Sequence, residues 1–370
     1  MNSFTLTWLF VILGQKVSSA FLVAPKHAPT STTSTFMATW SDSRAVKEYQ
    51  EFLNSGKQDM DQSADCPSVI ITSPSSSDLA NALVAMGTGD DLVLTPDQDL
   101  PPFDESYPIY ITLPPWEIEA FLSNLKESYV AKAEDFIFFS GGLEFGNIED
   151  VLKEKGFCRD SMTQVLISGM RITPSGKVED LSINLGPDSY GKTKWAGDCA
   201  SCGKWAGSIA ERLERNAVRC PVLFYREWRR RMWERHTFDA VFHLLGVVRS
   251  QPTTVEQVAT YYSEDVSEMV WEMSQLLRGW KAITLTYGFE ERMFGMAEKN
   301  GQEQATTLID EMYPFIWGNQ VMLQSKMFSE YLNYAQSEMG YLPGIQLPEM
   351  RDEDFQSKMR QGNLRADGVI

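Results

Sequence analysis

The stretch SVIITSPSSSDLANAL, Ser68–Leu83, decides the fold. Val69, Ile70 and Ile71 form a β-branched run of strand length, and Ser73–Ser77 is a small-residue loop around Pro74. From Asp78 onward apolar residues recur at helical spacing as far as Met86. A strand, a tight turn and a helix in this order are the place where α/β folds cradle a phosphate, yet no glycine stands in the turn.

Working outward, short β-type runs recur as DLVLT (91–95), PIYITL (108–113), DFIFF (135–139), QVLIS (164–168) and PVLFY (221–225). Helical patterns lie between several of them: SDLANALVAM, PWEIEAFLSNL and GKWAGSIAERLER. Strands alternating with helices predict a Rossmann-like, doubly wound parallel sheet over residues 65–224. Beyond Tyr225 the β signal stops, and residues 225–343 read as an all-α helical domain. Its clearest helix begins at SEDVSEM, with Ser263 as the expected N-cap and Gly288 as the expected stop. Val266, Met269, Val270, Met273, Leu276, Leu277, Trp280 and Ile283 form its expected core stripe. Residues 41–64 read as a polar linker with a short helix in SRAVKEYQEFL, and 344–370 as a flexible tail.

The first forty residues read as an address. TLTWLFVILG has the length of a signal-peptide core and is too short to span a bilayer. Ser18 and Ala20 supply small residues at −3 and −1, which places cleavage before Phe21 and makes residues 1–20 a signal peptide. Residues 21–40 contain no acid and are rich in Ser and Thr, as transit segments are. This tandem resembles the bipartite presequence of algae with secondary plastids, which implies a chloroplast stromal destination; ordinary secretion is the alternative. The only long apolar run lies in the leader, so no membrane contact is expected after its removal.

The chain has 43% hydrophobic residues, enough to fold, and its formal charge of −17 disfavours nucleic acid and anionic membranes as partners. Removing residues 1–40, which carry Lys16, Lys26 and no acid, makes the remainder more acidic still. A small-molecule substrate or a protein partner remains, and a homodimer stays open. Five cysteines in 370 residues point away from a disulfide scaffold and toward a reducing compartment. Cys199 and Cys202 form a C-x-x-C expected at a helix start, where thiol pKa falls; a reversible disulfide and two inert thiols are both open there. No metal site is expected: one of the three histidines is in the leader, and the other cysteines are singletons. Arg226, Arg229, Arg230, Arg231 and Arg235 cluster within YREWRRRMWERH, as a docking face for anions or as a surface balanced by nearby acids.

The stretches DFIFFSGGL, YGKTKWAG, GKWAGSIAERL, RMWERHTFDAVFHLLGVVRSQPTTVEQV and FIWGN resemble the ketopantoate-reductase-like family, in its divergent plant and algal branch. The resemblance covers roughly Pro67 to Asn319. It implies reduction of a 2-keto acid by NADPH in a cleft between two domains. The family's Gly-x-Gly-x-x-Gly falls on Thr72, Pro74 and Ser77, and Thr72, Ser73, Ser75, Ser76 and Ser77 become the candidate cofactor segment. Pro74 removes an amide, Asp78 competes with a phosphate for the helix start, and the serine hydroxyls serve either a phosphate or a helix cap. Asp97 and Asp99 after the next strand would repel a 2′-phosphate, so a retained activity would lean from NADP toward NAD.

The family's Trp-Glu-Lys-x-x-x-Asn-x-x-x-Asn frame falls on Trp233, Glu234, Arg235, Asp239 and His243, with the lysine and both asparagines replaced. Arg235 stays charged and is a poor proton donor near neutrality. His243, two turns on along the same side of the helix, is the candidate replacement acid; an Arg235–Asp239 ion pair with a packed histidine is the structural alternative. The family's Asn-Gly turn corresponds to Ser140, Gly141 and Gly142, and its late acid to Asp310 or Glu311. Two functions follow from these replacements. One is a plastid protein on a reductase scaffold that has lost its reductase activity; the other is an active NAD(P)-dependent oxidoreductase on a 2-keto acid.

Overall fold

The opening stretch folds in the computed structural model as β1 (Val69–Ile71), a single 3-10 turn at Pro74–Ser76 and α1 (Ser77–Met86). The structure describes residues 63–102, 105–139, 152, 154–157, 162–248, 253–302, 304–305 and 321–337. The leader, the 41–62 segment, Ser140–Gly142, Cys158, Asp310, Glu311 and the tail lie outside the described residues.

β2 (Leu92–Leu94), β3 (Ile109–Ile111), β4 (Phe136–Phe139) and β5 (Thr163–Leu166) join β1 in parallel, with α2 (Pro115–Ser123) and the one-turn α3 (Glu127–Val130) between β3 and β4. Two antiparallel hairpins follow, β6 (Met170–Ile172) with β7 (Val178–Asp180) and β8 (Ile183–Pro187) with β9 (Thr193–Ala196). β10 (Ala200–Cys202) then closes the six-stranded sheet antiparallel to β5, giving the order β10-β5-β4-β3-β1-β2. Because β2 lies on one side of β1 and β3 on the other, the strand order reverses between β1 and β3. The helical region comprises α4 (Ala206–Arg215), which still packs on the sheet, then α5 (Tyr225–Val247), α6 (Val255–Tyr261), α7 (Ser263–Lys281), α8 (Phe289–Asn300) and α9 (Lys326–Ser337). A Rossmann-like α/β layer followed by helices is the architecture expected from the sequence.

Side chains alternate across the sheet with the strand period of two. Val69, Ile71, Ile109, Ile111, Phe136 and Phe138 pack with Ile118, Phe121 and Leu122 of α2 on one face. Ile70, Tyr110, Ile137, Phe139 and Val165 pack with α1 and with Ile209 and Leu213 of α4 on the other. A third cluster fuses Leu166, Ala200 and Cys202 of the sheet with Trp228, Trp233 and Phe242 of α5 and the helices around it.

The starts of β1 and β2 are held by one buried cation. Arg212 of α4 is wholly buried and pairs with Asp65 (2.9 Å) and Asp91 (3.0 Å), both equally shielded. It also donates to the carbonyls of Cys66 (3.1 Å) and Leu83 (3.3 Å), and lies 5.0 Å from the centre of the Tyr110 ring. Asp91 in turn accepts from the Ser68 amide (2.9 Å) and hydroxyl (2.8 Å), which fixes where β2 meets β1. Among the helices, Glu234 of α5 takes both prongs of Arg292 of α8 at 2.6 and 2.7 Å, a fork-to-fork pair shielded from water.

Several sequence expectations are corrected. PVLFY is not a strand: Val222 makes only an isolated bridge to Ser201. The two hairpins and β10 carry no strong β pattern and were not foreseen. Ser263 is the first residue of α7 rather than its cap; Tyr262 occupies that position, and the nearest side-chain cap is Thr254 on α6, which forms a capping box with Gln257. α7 ends where Ala282 turns left-handed (φ 53°), so Gly288 instead caps the start of α8 and Ile283 is buried outside the helix. Trp280 lies on the core side by helical spacing but is 61% exposed.

Replacing Arg212 by Leu leaves two carboxylates shielded without this cation. The expected loss of unfolding free energy is about 3–5 kcal/mol, read as a lower urea midpoint with an unchanged slope.

Candidate functional site

In a doubly wound sheet, ligands sit outside the carboxyl ends of the strands where the strand order reverses. Here that place is the gap between the turns after β1 and β3, and the candidate cofactor segment forms the first of these turns. Most of its amides are already committed. The Thr72 amide donates to Leu94 O (3.0 Å), the Ser73 amide to Ser76 Oγ (3.2 Å) and the Ser76 amide to Ser73 O (3.1 Å). Pro74 has no amide. Four of the six positions from Thr72 to Ser77 therefore have no N–H to give.

The hydroxyls are engaged as well. Thr72 Oγ1 and Ser76 Oγ lie 3.1 Å apart, Ser73 Oγ and Ser75 Oγ 2.7 Å apart, and Ser77 Oγ donates to Pro74 O at 3.2 Å. Ser75 Oγ donates across the gap to Glu117 of α2 at 2.5 Å. The Thr112 amide and hydroxyl both donate to Ile71 O, at 3.0 and 2.9 Å, and tie the two turns together from beneath. A carboxylate thus holds the hydroxyl that a phosphate would seek, and Asp78 stands in the first turn of α1. The residues present do not fit a nicotinamide cofactor's pyrophosphate, which needs converging amides and close backbone approach. Glu117 went unnoticed in the sequence because a first-turn acid is ordinary at any helix start.

After β2, Asp97 accepts from the Thr95 hydroxyl, which holds its carboxyl below the usual carboxylate range. Asp99 pairs with Lys126 at 3.1 Å, and the same ammonium reaches Asp97 O. The acids expected to repel a 2′-phosphate are therefore accompanied by one cation that sequence spacing did not reveal.

On α5 the expected trio separates. Arg235 and Asp239 pair at 2.8 and 2.9 Å, and the guanidinium lies 5.1 Å from the centre of the Phe238 ring. His243 is buried, with Nδ1 3.0 Å from Ala305 O. Trp233 is buried and Glu234 is held by Arg292. The arginine run has local acids as partners: Arg230 meets Glu227 (2.8 Å) and Arg231 meets the buried carboxylate of Asp198.

Cys199 and Cys202 do not open a helix. Cys202 ends β10 and packs toward the helices, whereas Cys199 just before β10 packs on the opposite face of the sheet beside Cys220. Three residues apart along an extended chain, the two side chains point to opposite faces. Cys199, Cys202 and Cys220 are buried and Cys66 is half-buried, and none of the four is in a disulfide. Among the described residues no group of three or more metal-ligating side chains gathers, and no helix is long and apolar enough to cross a membrane.

No protein-family model matches the chain, and no curated protein matches it in sequence. Among solved structures it is similar to a 2-dehydropantoate 2-reductase from Methylococcus capsulatus, at 12% identity and a TM-score of 0.47 over 73% of this chain and 90% of that one. It is also similar to D-mandelate dehydrogenase in complex with NADH, at 11% identity and a TM-score of 0.41 over 73% of this chain and 96% of that one. At these values neither likeness assigns a role to any residue of this chain.

Burial pushes the Cys220 thiol up to about 12 and the Tyr129 phenol up to about 12, against ordinary values near 9 and 10. Both are neutral in the fold at a pH where the unfolded chain ionises them, so stability present below pH 9 drains away as pH rises toward 12. Urea midpoints should fall steadily across that interval, and less steeply in Cys220→Ala. Peptide mapping after mild oxidation should recover no Cys199–Cys202 link.

Proposed function

We propose that this chain is a binding or association protein built on a reductase-type α/β scaffold, without hydride transfer from a nicotinamide cofactor. The observation that supports this reading is the amide inventory of the β1–α1 turn. Two of its amides bond within the turn and a third bonds to β2, a proline removes a fourth, and Glu117 accepts from the Ser75 hydroxyl. The α5 frame points the same way. Arg235, standing where the resembling family has its proton-donating lysine, is neutralised by Asp239, and His243 is turned into the core. Neither offers an acid to a substrate oxygen. The leader supports a plastid stromal destination as part of this proposal.

Titrating NADPH and NADH into the protein while following its tryptophan emission tests the reading. No saturable change is expected up to about 1 mM, the upper end of ordinary enzyme affinities, and no cofactor oxidation with a panel of 2-keto acids. Micromolar saturation by either cofactor overturns the proposal and returns the chain to the active oxidoreductases.

A further inference from the structure

The two edges of the sheet are treated differently. Beside β10, Ser201 bridges to Val222, and Trp228 of α5 donates its indole N–H to Ala200 O at 3.2 Å. β2 at the other edge has no strand on its outer side among the described residues. Leu92 donates its amide to Ser68 O (2.9 Å), and Leu94 O accepts from the Thr72 amide (3.0 Å), so both face β1. In a parallel ladder the residue between them turns its amide and carbonyl the other way. Val93 therefore presents both outward. Beyond Leu94 the edge is closed by a turn in which Gln98 takes the Thr95 amide (2.8 Å) and returns its own to Thr95 O (3.0 Å).

Around Val93 the surface is apolar and then acidic. Leu92 is 42% and Val93 45% exposed, whereas β1, β3 and β4 are buried throughout. Asp91 is held by Arg212; Asp90 before the strand is exposed, and after it the exposed Asp97 and Asp99 share the single cation of Lys126, so both ends of the strand are net acidic.

A second copy of the chain fits this edge poorly. Two-fold antiparallel pairing about Val93 would bring Asp90 of one copy beside Asp97 of the other, twice, between bodies of formal charge −17. A three-residue strand with two half-exposed side chains offers far less than the roughly 1,200 Å² of a stable dimer. We propose that the β2 edge docks an extended segment of a partner protein, apolar at its centre and carrying Lys or Arg on both flanks. Backbone pairing at Val93 supplies register, the apolar centre covers Leu92 and Val93, and the flanking cations meet Asp90 and Asp97.

The probe is a fluorescein-labelled peptide, Lys-Lys-Val-Thr-Val-Thr-Val-Lys-Lys, followed by anisotropy with the full chain. Saturable binding is expected that weakens between about 50 and 300 mM salt. It should fall at least ~tenfold when the flanks are Glu or the central Val is Pro. Val93→Pro removes the outward amide and the valine side chain while leaving the amides that pair with β1, a substitution edge strands accept, and should weaken binding by a similar factor with an unchanged circular dichroism spectrum. Should that variant not fold, D90N/D97N decides instead: weaker binding with a shallower salt dependence is expected. No binding up to 1 mM peptide, equal binding of the Glu-flanked peptide, or affinity unchanged in the folded variant overturns the proposal. So does a dimer by light scattering that the same variant dissolves, since the edge would then belong to a second copy.

Discussion

One guanidinium organises the amino end of the sheet. Arg212 is drawn out of water completely, a cost that only paired and hydrogen-bonded surroundings offset. Asp65 before β1 and Asp91 before β2 supply the charge, the Cys66 and Leu83 carbonyls take further donors, and Tyr110 covers the flat face. Because Asp91 also holds the Ser68 amide and hydroxyl, the charge network and the strand register are the same set of bonds. α1, α4, β1 and β2 therefore share one fixed point, and everything at the other rim of the sheet is positioned from it.

That other rim is built from different chemistry. The β1–α1 turn holds serine and threonine hydroxyls and no glycine, and these hydroxyls bond one another and Glu117. A glycine turn owes its affinity for phosphate to amides with nothing else to bond. Here the turn's amides and hydroxyls are bonded largely within it, to β2 and to α2, and the space between β1 and β3 is bridged by a neutral donor and a carboxylate. On α5 the Arg235–Asp239 pair and the buried His243 likewise bond within the protein.

The parallel core of the sheet was legible because its strands are continuous apolar runs separated by helical periodicity: VII, LVL, IYI and FIFF all lie within predicted runs. The hairpins and β10 were not, because Ala200–Cys202 is made of small residues whose strand conformation comes from pairing with β5 rather than from propensity. Helix ends misled for a related reason. Ser263 looks like a cap, yet α6 runs into α7 with only Tyr262 between them, leaving no room for a capping turn. In the candidate site the absence of glycine was visible at once. Glu117, 42 residues from Ser75, and Lys126, 27 from Asp99, became neighbours only through the fold.

The cluster that unites Leu166, Ala200 and Cys202 with the tryptophans of α5 bears on how the chain comes apart. Among the described residues apolar contacts run across Tyr225, where the β signal ends, with the Arg231–Asp198 pair beside them. Severing the backbone there would strip an oily flank on each piece, β10 and the end of β5 on one and the indoles of Trp228 and Trp233 on the other. Each piece would then present apolar surface to water, which couples the stability of the sheet to that of the helices.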